Sequence, residues 1–272
     1  MTRRPMVYLL EQITKEYRTR EGVLRALDNL SLSVNGGERV ALIGPSGAGK
    51  TTLFRLLNAT LRPTRGRLLF DGRDVASSSA RELRAMRRRV GTVYQQHYLV
   101  PSLSAVDNVL CGRLGRWSLW QTARSLVRPS REDVEEAEHV LELVGLADKR
   151  RERADALSGG QQQRLAVARV LMQQPEVILA DEPVASLDPA LAESIMQLLQ
   201  TVADDGRRTL LVALHNVELA LRYFPRVVAL RAGTVAFDAA ASGLGRDALG
   251  EFYLEDGTAA RGEGAWRRTP AP

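Results

Sequence analysis

The stretch from Arg39 to Thr52 constrains the fold of this chain more than any other part of it. An apolar strand predicted over Val40–Ile43 runs into a glycine-rich turn, and a helix is predicted to begin near Lys50. Strand, turn and helix together carry the pattern G-x-x-x-x-G-K-[ST], in the structural context that this pattern requires. Its fixed positions are Gly44, Gly49, Lys50 and Thr51.

The residue types in this loop suit the binding of phosphate groups. Glycines let the backbone curl so that successive N–H groups point inward, and the helix N-terminus adds unpaired donors and the positive end of its dipole. Lys50 places a compact charge on the β- and γ-phosphates, and the Thr51 hydroxyl can ligate Mg²⁺. We therefore predict a nucleoside triphosphate site formed by Gly44, Pro45, Ser46, Gly47, Ala48, Gly49, Lys50, Thr51 and Thr52.

A second apolar strand, predicted over Val177–Ala180, ends on two carboxylates, Asp181 and Glu182. In open parallel sheets, ligands bind beyond the carboxyl ends of the strands, where the phosphate loop also lies. Asp181 is then placed to hold the shell of a Mg²⁺ ion, and Glu182 to orient or deprotonate an attacking water. Coupled to the phosphate loop, this acidic pair is a strong indication of triphosphate chemistry.

Leu157–Gln161 supplies a second Ser-Gly-Gly at a predicted helix start, which is another backbone cradle for an anion. It lies more than a hundred residues after the phosphate loop. A single nucleotide can use both cradles only if the fold brings them together, or if two subunits share the nucleotide.

The rest of the chain shows an α/β rhythm with one interruption. Strands are predicted over Met6–Leu10 and Ala26–Val34, with Tyr17 between them, where an aromatic ring either packs or stacks on a nucleotide base. Residues from about 96 to 160 hold helical patterns and few strands, which indicates an inserted helical subdomain. Trp117 and Trp120 lie there, and their spacing fits either a core position or a partner contact.

In their order and spacing, these motifs resemble the ATP-binding subunits of the ABC transporters. The motifs are Gly44–Thr51, Gln95, Leu157–Gln161, Asp181-Glu182, Ser186-Leu187-Asp188 and His215. The resemblance implies an α/β P-loop NTPase fold: a RecA-like core with an N-terminal antiparallel β subdomain, and the inserted helical subdomain. It implies an ATP-binding domain over 5–245 and a C-terminal extension, 246–272, whose Gly-, Ala-, Arg- and Pro-rich tail we expect to be disordered.

The same resemblance assigns a role to individual residues. It implies a head-to-tail homodimer in which ATP bound by one copy is capped by Ser158, Gly159, Gly160 and Gln161 of the other. The implied catalytic residues are Glu182, His215, Gln95 and Lys50, and the implied Mg²⁺ ligands are Thr51, Gln95 and, through water, Asp181. Gln95 would relay to the membrane subunits, Asp188 would cross the dimer interface, His215 would contact the γ-phosphate, and Tyr17 would stack on adenine.

A narrower resemblance, to the phosphonate-importer ATPases, rests on four segments. They are Gln95–Val100, Gly112–Arg116 with its following tryptophans, Leu171–Pro175 and Asp181–Asp188, whereas Asn216 and Ala239 depart from that subgroup. The resemblance implies a peripheral subunit on the cytoplasmic face of the cell membrane. It would energise uptake of phosphonates, or of a related phosphorus oxyanion, through separate permease subunits, with a solute-binding protein as an indirect partner.

Composition limits the alternatives. The chain of 272 residues has a net charge of +6 and one cysteine, Cys111, so it has no internal disulfide framework and no zinc-finger spacing. The longest apolar runs fall far short of the roughly 18 residues of a membrane span, so any membrane contact must go through a partner. The basic residues are spread along the chain and are almost all arginine, the only lysines being Lys15, Lys50 and Lys149.

Three other functions are alternatives for this chain. The chain could serve an importer of another small solute, such as phosphate or amino acids. It could be a soluble ABC ATPase acting on nucleic acid or in translation, but it has no heptads, no zinc cysteines and only one phosphate loop, so we expect no nucleic-acid partner. A non-catalytic regulatory copy would normally lack Glu182 or His215, and both are present.

Overall fold

The computed structural model describes residues 5–20, 22–118, 120, 122, 129–185, 187–203 and 208–244. The C-terminal extension predicted over 246–272 and Ser186 therefore lie outside the described residues. The strands are β1 (Met6–Thr19), β2 (Gly22–Asn35), β3 (Arg39–Ile43), β4 (Arg65–Phe70), β5 (Arg73–Asp74), β6 (Val90–Val93), β7 (Val177–Asp181), β8 (Thr209–Leu214), β9 (Arg226–Arg231) and β10 (Thr234–Ala240). The helices are α1 (Lys50–Leu57), α2 (Ala80–Arg89), α3 (Ala105–Leu110), α4 (Arg131–Leu143), α5 (Gly159–Met172), α6 (Pro189–Ala203) and α7 (Val217–Tyr223).

A six-stranded sheet in the order β10-β9-β3-β8-β7-β6 forms the centre of the molecule. Its strands β9, β3, β8, β7 and β6 run parallel, and β10 closes one edge antiparallel to β9. The central strands are nearly continuous apolar runs, as expected for parallel strands that are covered on both faces. This arrangement confirms the predicted α/β class.

Alternate residues of these strands face two different hydrophobic cores. In β3, Ala41 and Ile43 join the core that also contains the helical region, whereas Val40 and Leu42 join the core on the other face. The second core holds α1 and the inner residues of a four-stranded antiparallel sheet in the order β2-β1-β4-β5. The phosphate-loop strand is therefore clamped between two packed layers.

The N-terminal hairpin is longer than the sequence predicts. The predicted strand Met6–Leu10 is wrong at its end, because β1 continues to Thr19 and therefore contains Tyr17, which was expected to lie between two strands. The pairing of β1 with β2 shifts register between Leu10 and Ile13, where Gln12 has a positive φ of 51°. Such bulges break the alternation of apolar residues by which a strand is recognised in a sequence.

Helices α3, α4 and α5 pack on one another in the core that lies on the helical side of the large sheet. The segment before α5 is joined to the segment before α3, since the amide of Ala154 donates to the carbonyl of Leu103 over 2.9 Å. Trp120 is 79% exposed, so the core reading is wrong for this tryptophan, while Trp117 is half-buried. Within the described ranges, none of the helices has the length and apolar content needed to cross a membrane.

Candidate nucleotide-binding site

The loop between β3 and α1 has a backbone that only glycine permits at two positions. Gly44 has φ +152°, and a Cβ there would lie 2.3 Å from the carbonyl oxygen of Leu230. Gly49 has φ +104°, and a Cβ there would lie 2.6 Å from the carbonyl oxygen of Ala26. The loop thus packs directly on β9 and β2, and its curled shape is fixed from both sides.

Lys50 directs its ammonium group into this loop. Its Nζ donates to the carbonyl oxygens of Gly44, over 2.7 Å, and Pro45, over 3.1 Å. The side chain is buried, and burial lowers the pKa of Lys50, against the opposing effect of the nearby Glu182 and Asp181 carboxylates. Carbonyl oxygens carry less charge than phosphate oxygens, so this ammonium is well placed to exchange them for a phosphate.

The pairing of the parallel strands brings the predicted catalytic residues to one edge of the sheet. Ile43 pairs with Leu214, which places Gly44 level with His215. Asp181 pairs with Ala213 in β8, and Ala180 pairs with Val93 at the end of β6. The residues brought together at this carboxyl edge are Lys50, Thr51, Gln95, Asp181, Glu182 and His215.

Asp181 has the features of a metal-shell ligand. Its side chain is buried, and its Oδ1 has no hydrogen-bond partner among the described residues. Burial raises the pKa of Asp181, while a hydrogen bond with the Thr51 side chain works in the opposite direction. A buried carboxylate oxygen without a partner is costly, and a hard divalent cation would satisfy it. The pair Thr51 and Asp181 therefore fits Mg²⁺.

Gln95 stands two residues after β6, beside the strand that ends on Asp181. Its side chain is exposed and forms no hydrogen bond within the described part of the chain. A free amide oxygen at this edge is available to a cation or a phosphate-bound water.

Glu182 accepts a hydrogen bond through Oε1 from Nε2 of His215. The hydrogen bond from His215 is the largest cause that lowers the pKa of Glu182, and the Lys50 ammonium, 3.8 Å from Oε1, acts in the same direction. Glu182 is thus kept ionised, in the form that accepts a proton from water.

Ser158 to Gln161 form the start of α5, which is closed by a reciprocal cap. The amide of Ser158 donates to Oε1 of Gln161 over 2.9 Å, and the amide of Gln161 donates to Oγ of Ser158 over 3.4 Å. A Cβ on Gly160 would lie 2.3 Å from Leu191 of α6, whereas a Cβ on Gly159 would meet no atom within 4 Å. Packing inside the chain accounts for Gly160 but leaves Gly159 open to the outside.

In the described part of the chain, this helix start is not bonded to the phosphate loop. No hydrogen bond or ion pair among the described residues joins Ser158–Gln161 to residues 44–52. Of the two predicted phosphate cradles, the phosphate loop is thus bonded to the residues at the carboxyl edge of the sheet, whereas the start of α5 is bonded within the helical region.

Two further predicted residues have local partners. Asp188 is exposed and caps α6 by accepting a hydrogen bond from the amide of Leu191 over 3.0 Å. Tyr17 lies opposite Leu24 in the hairpin of β1 and β2, and Ala26 of the same hairpin lies close to Gly49 of the phosphate loop. The Lys15 ammonium lies 5.4 Å from the centre of the Tyr17 ring.

The sequence reasoning missed Asn58, at the end of α1. This side chain is 4% exposed, and its amide nitrogen donates to the hydroxyl of Tyr94 over 3.2 Å. It ties the phosphate-loop helix to the residue before Gln95. The only signal in the sequence is a polar residue within an otherwise apolar helix end, which does not distinguish a link of this kind from a helix cap.

The sequence and the structure of this chain are similar to those of known proteins. The sequence model described as ABC transporter matches residues 27–185. The chain is 43% identical over 262 residues to a phosphonates import ATP-binding protein PhnC of Rhodopseudomonas palustris, covering 96% of this chain and 92% of the relative. It is 44% identical over 245 residues to that of Nitratidesulfovibrio vulgaris, covering 90% and 91%.

A PhnC protein of Anaeromyxobacter dehalogenans is 51% identical over 250 residues, and this chain, of which 92% is covered, spans about half (49%) of its length. Among solved structures, the post-hydrolysis dimer of the ATP-binding cassette MJ0796 with ADP and Pi matches with a TM-score of 0.75 and 33% identity, covering 87% of this chain and all of that one. The cbiO1 protein of Clostridium perfringens matches with a TM-score of 0.74 and 26% identity, covering 94% and 96%. The chain therefore belongs to the ABC transporter family, among the ATP-binding subunits related to those of phosphonate import.

Proposed function

We propose that this chain hydrolyses ATP to energise the uptake of phosphonates, or of a related phosphorus oxyanion, through separate membrane subunits. The observation that carries the proposal is the carboxyl edge of the sheet, where Lys50, Asp181, Glu182 and His215 surround the phosphate loop. The names of the PhnC relatives support the class of solute.

The phosphate loop and Lys50 bind and orient the triphosphate. The backbone N–H groups of the phosphate loop would donate hydrogen bonds to the β- and γ-phosphates, and the Lys50 ammonium would move from the carbonyls of Gly44 and Pro45 to phosphate oxygens. Thr51 and Asp181 would hold Mg²⁺, with Gln95 as a further ligand. Bound there, Mg²⁺ would neutralise negative charge on the phosphates and so favour attack at the γ-phosphorus.

Glu182 supplies the base for hydrolysis. Its ionised carboxylate takes a proton from a water whose oxygen attacks the γ-phosphorus, while the bond to the β-phosphate oxygen breaks and ADP leaves. His215 holds the carboxylate in place through their hydrogen bond and lies level with Gly44, where it can contact the γ-phosphate. Tyr17 would stack on the adenine.

A second copy would complete the site. Ser158, Gly159, Gly160 and Gln161 would cap the nucleotide bound by the partner, and Asp188 would lie at the interface between the copies. The open side of Gly159 and the separation of this helix start from its own phosphate loop support the arrangement. The dimeric form of the MJ0796 cassette is consistent with it. The division into an ATP-binding domain over 5–245 and a helical subdomain over about 96–160 is part of the same proposal.

The remaining partners follow from the transport role. Permease subunits in the membrane would bind the chain at the cytoplasmic face, and a solute-binding protein would act through them. Gln95, at the junction of the large sheet and the helical region, would relay the nucleotide state to the permease.

The test of the function is ATP turnover in proteoliposomes that contain the chain with a permease and a solute-binding protein of a phosphonate importer that assemble with it. We expect binding protein loaded with methylphosphonate to raise turnover about tenfold, since the solute shifts a coupled equilibrium. Binding protein mixed with phosphate or with an amino acid should leave turnover at its basal rate. Stimulation by either of these, and not by methylphosphonate, would show that the importer serves another solute.

A further inference from the structure

The position of Gln95 is set by the backbone around it, since its own side chain is unbonded within the described residues. We call residues 94–98 the Gln95 loop. This loop runs from the end of β6, in the large sheet, toward α5, in the helical region.

One end of the Gln95 loop is anchored to the phosphate-loop helix. Asn58 donates to the hydroxyl of Tyr94 over 3.2 Å, and the amide of His97 donates to the carbonyl of Tyr94 over 3.1 Å. The ring of Tyr94 meets the ring of Tyr98 edge-on, with 5.1 Å between their centres.

The other end of the Gln95 loop is anchored to α5 by Arg169. Its Nη2 donates to the carbonyl of His97 over 2.7 Å, and its Nη1 donates to the carbonyl of Tyr98. His97 and Tyr98 have positive φ values of 52° and 47°, which costs non-glycine residues free energy and persists where neighbours impose it. Gln163 of α5, which is 2% exposed, hydrogen bonds to the His97 ring.

The charge of Arg169 is directed at this loop. Burial lowers the pKa of the guanidinium, and no carboxylate of the described residues forms an ion pair with it. Removing an arginine from water without an acidic partner is costly, so packing alone gives no reason for its presence. The two carbonyl oxygens of the Gln95 loop receive its donors instead.

Arg169 cannot move independently of the start of α5. It lies eleven residues after Ser158, about 16 Å along one continuous helix. A Cβ on Gly112 would lie 2.2 Å from the backbone oxygen of Arg169, so the helix is packed tightly against the segment after α3. A shift of the helix start is therefore passed to the Gln95 loop.

We propose that Arg169 is a positioning residue for Gln95. It ties the Gln95 loop to α5, so that Gln95 takes its place at the phosphates when the start of the same helix is seated on the partner's nucleotide. This inference rests on the proposed function. The start of α5 would cap the nucleotide bound by the partner copy. Through Arg169, the same helix would adjust Gln95, which acts on the nucleotide bound by its own copy.

The test replaces Arg169 and compares it with a matched arginine of the same helix. Arg164 also donates to a backbone carbonyl, that of Val144, and to Ser194, but it does not touch the Gln95 loop. We expect Arg169→Gln to lower kcat about 10- to 100-fold, as a displaced catalytic contact does, with KM for ATP changed less than about twofold. Arg169→Lys, which keeps one charged donor, should recover part of this loss, and Arg164→Gln should keep kcat within about twofold of wild type.

A double-mutant cycle with Gln95→Ala separates positioning from general destabilisation. If Arg169 acts through Gln95, Arg169→Gln should cause little further loss of kcat in the Gln95→Ala background. Full additivity of the two losses, or an equal loss of kcat in Arg164→Gln, would overturn the proposal.

Hydrogen exchange of the backbone amides gives a second readout that does not depend on turnover. Arg169→Gln should speed exchange in residues 94–98 and leave the amides of α5 protected. Unchanged exchange in residues 94–98 would overturn the proposal even in a protein that hydrolyses no ATP. A wild-type chain without ATP turnover would count against the proposed function instead.

Discussion

Glu182 is held in a left-handed backbone conformation with φ 51°, which costs a residue with a side chain about 1–2 kcal/mol. Its neighbours offset this cost: its amide donates to the carbonyl of Ala213 over 3.2 Å, and its carboxylate bonds to His215. Strain of this kind concentrates where a side chain must be aimed at a reacting group. The strained turn points the carboxylate of Glu182, rather than that of Asp181, toward Lys50 and His215.

Lys50→Ala should remove most ATP turnover. The ammonium is buried inside the loop and is aimed at the phosphates, and the loss of one such contact costs about 3 kcal/mol, or roughly 10²-fold in kcat. The measurement is steady-state ATP hydrolysis with saturating Mg²⁺ and ATP. Lys149→Ala is a matched control, because that lysine is partly exposed and pairs with Glu152, so it should keep normal turnover. Near-normal turnover in Lys50→Ala would refute the role given to the loop.

The sequence predicts Lys50, Asp181 and Glu182 well, because each stands at a fixed distance from the end of an apolar strand. Pairing of parallel strands then brings those ends together without further information. Asn58 and Arg169 could not be predicted, because their partners lie 36 and 71 to 72 residues away in the chain. Contacts of that range depend on how the helices pack on the sheet.

At the scale of elements, the two adjacent glycines at the start of α5 differ in their surroundings. Gly160 packs against Leu191, whereas a side chain at Gly159 would extend into open space. Gly160→Ala places a methyl group 2.3 Å from Leu191, a partly buried side chain that must turn away, and should lower the free energy of unfolding by about 1 kcal/mol. Gly159→Ala places its methyl group in open space and should leave stability unchanged or slightly higher, since alanine favours helix. The same open methyl group would obstruct a nucleotide that approaches from a second copy.

Urea unfolding and ATP turnover together check this pair. We expect Gly159→Ala to unfold at the wild-type midpoint and yet to hydrolyse ATP at a reduced rate. Gly160→Ala should show the lower midpoint. Normal turnover in a fully stable Gly159→Ala protein would mean that nothing approaches this helix start.

Strands were the elements that the sequence predicted least completely. Three of the four bounds of the long hairpin were missed because β1 and β2 contain bulges, with positive φ at Gln12 and Asn29. The edge strand β10, which the sequence analysis did not predict at all, is rich in alanine and only half-covered. The buried strands β3 and β7 were recovered almost residue for residue, because burial on both faces demands continuous apolar runs.

For the whole molecule, the position of the two phosphate cradles bears directly on the proposed dimer. One chain brings Lys50, Asp181 and Glu182 together but leaves Ser158 in the helical region. The sequence predicts that both cradles exist. It does not predict whether both cradles of one chain bind the same nucleotide, because that depends on the placement of α5 against the sheet. The proposed head-to-tail pair of copies would join the two cradles in one site.

The final prediction follows from this shared site. Glu182→Gln removes the base but keeps a side chain of the same size, so ATP should stay bound. Each of the two nucleotides would contact the phosphate loop of one copy and the start of α5 of the other, and so would hold the two copies together. Size-exclusion chromatography with Mg²⁺ and ATP should show about twice the 30.0 kDa of one chain, and the monomer should return when ATP is omitted. Adding Lys50→Ala to this variant should abolish the dimer, because the phosphates lose the ammonium group that binds them in the loop. A variant that binds ATP firmly and remains a monomer at every protein concentration would show that Ser158 caps no partner's nucleotide, and the head-to-tail assembly would have to be abandoned.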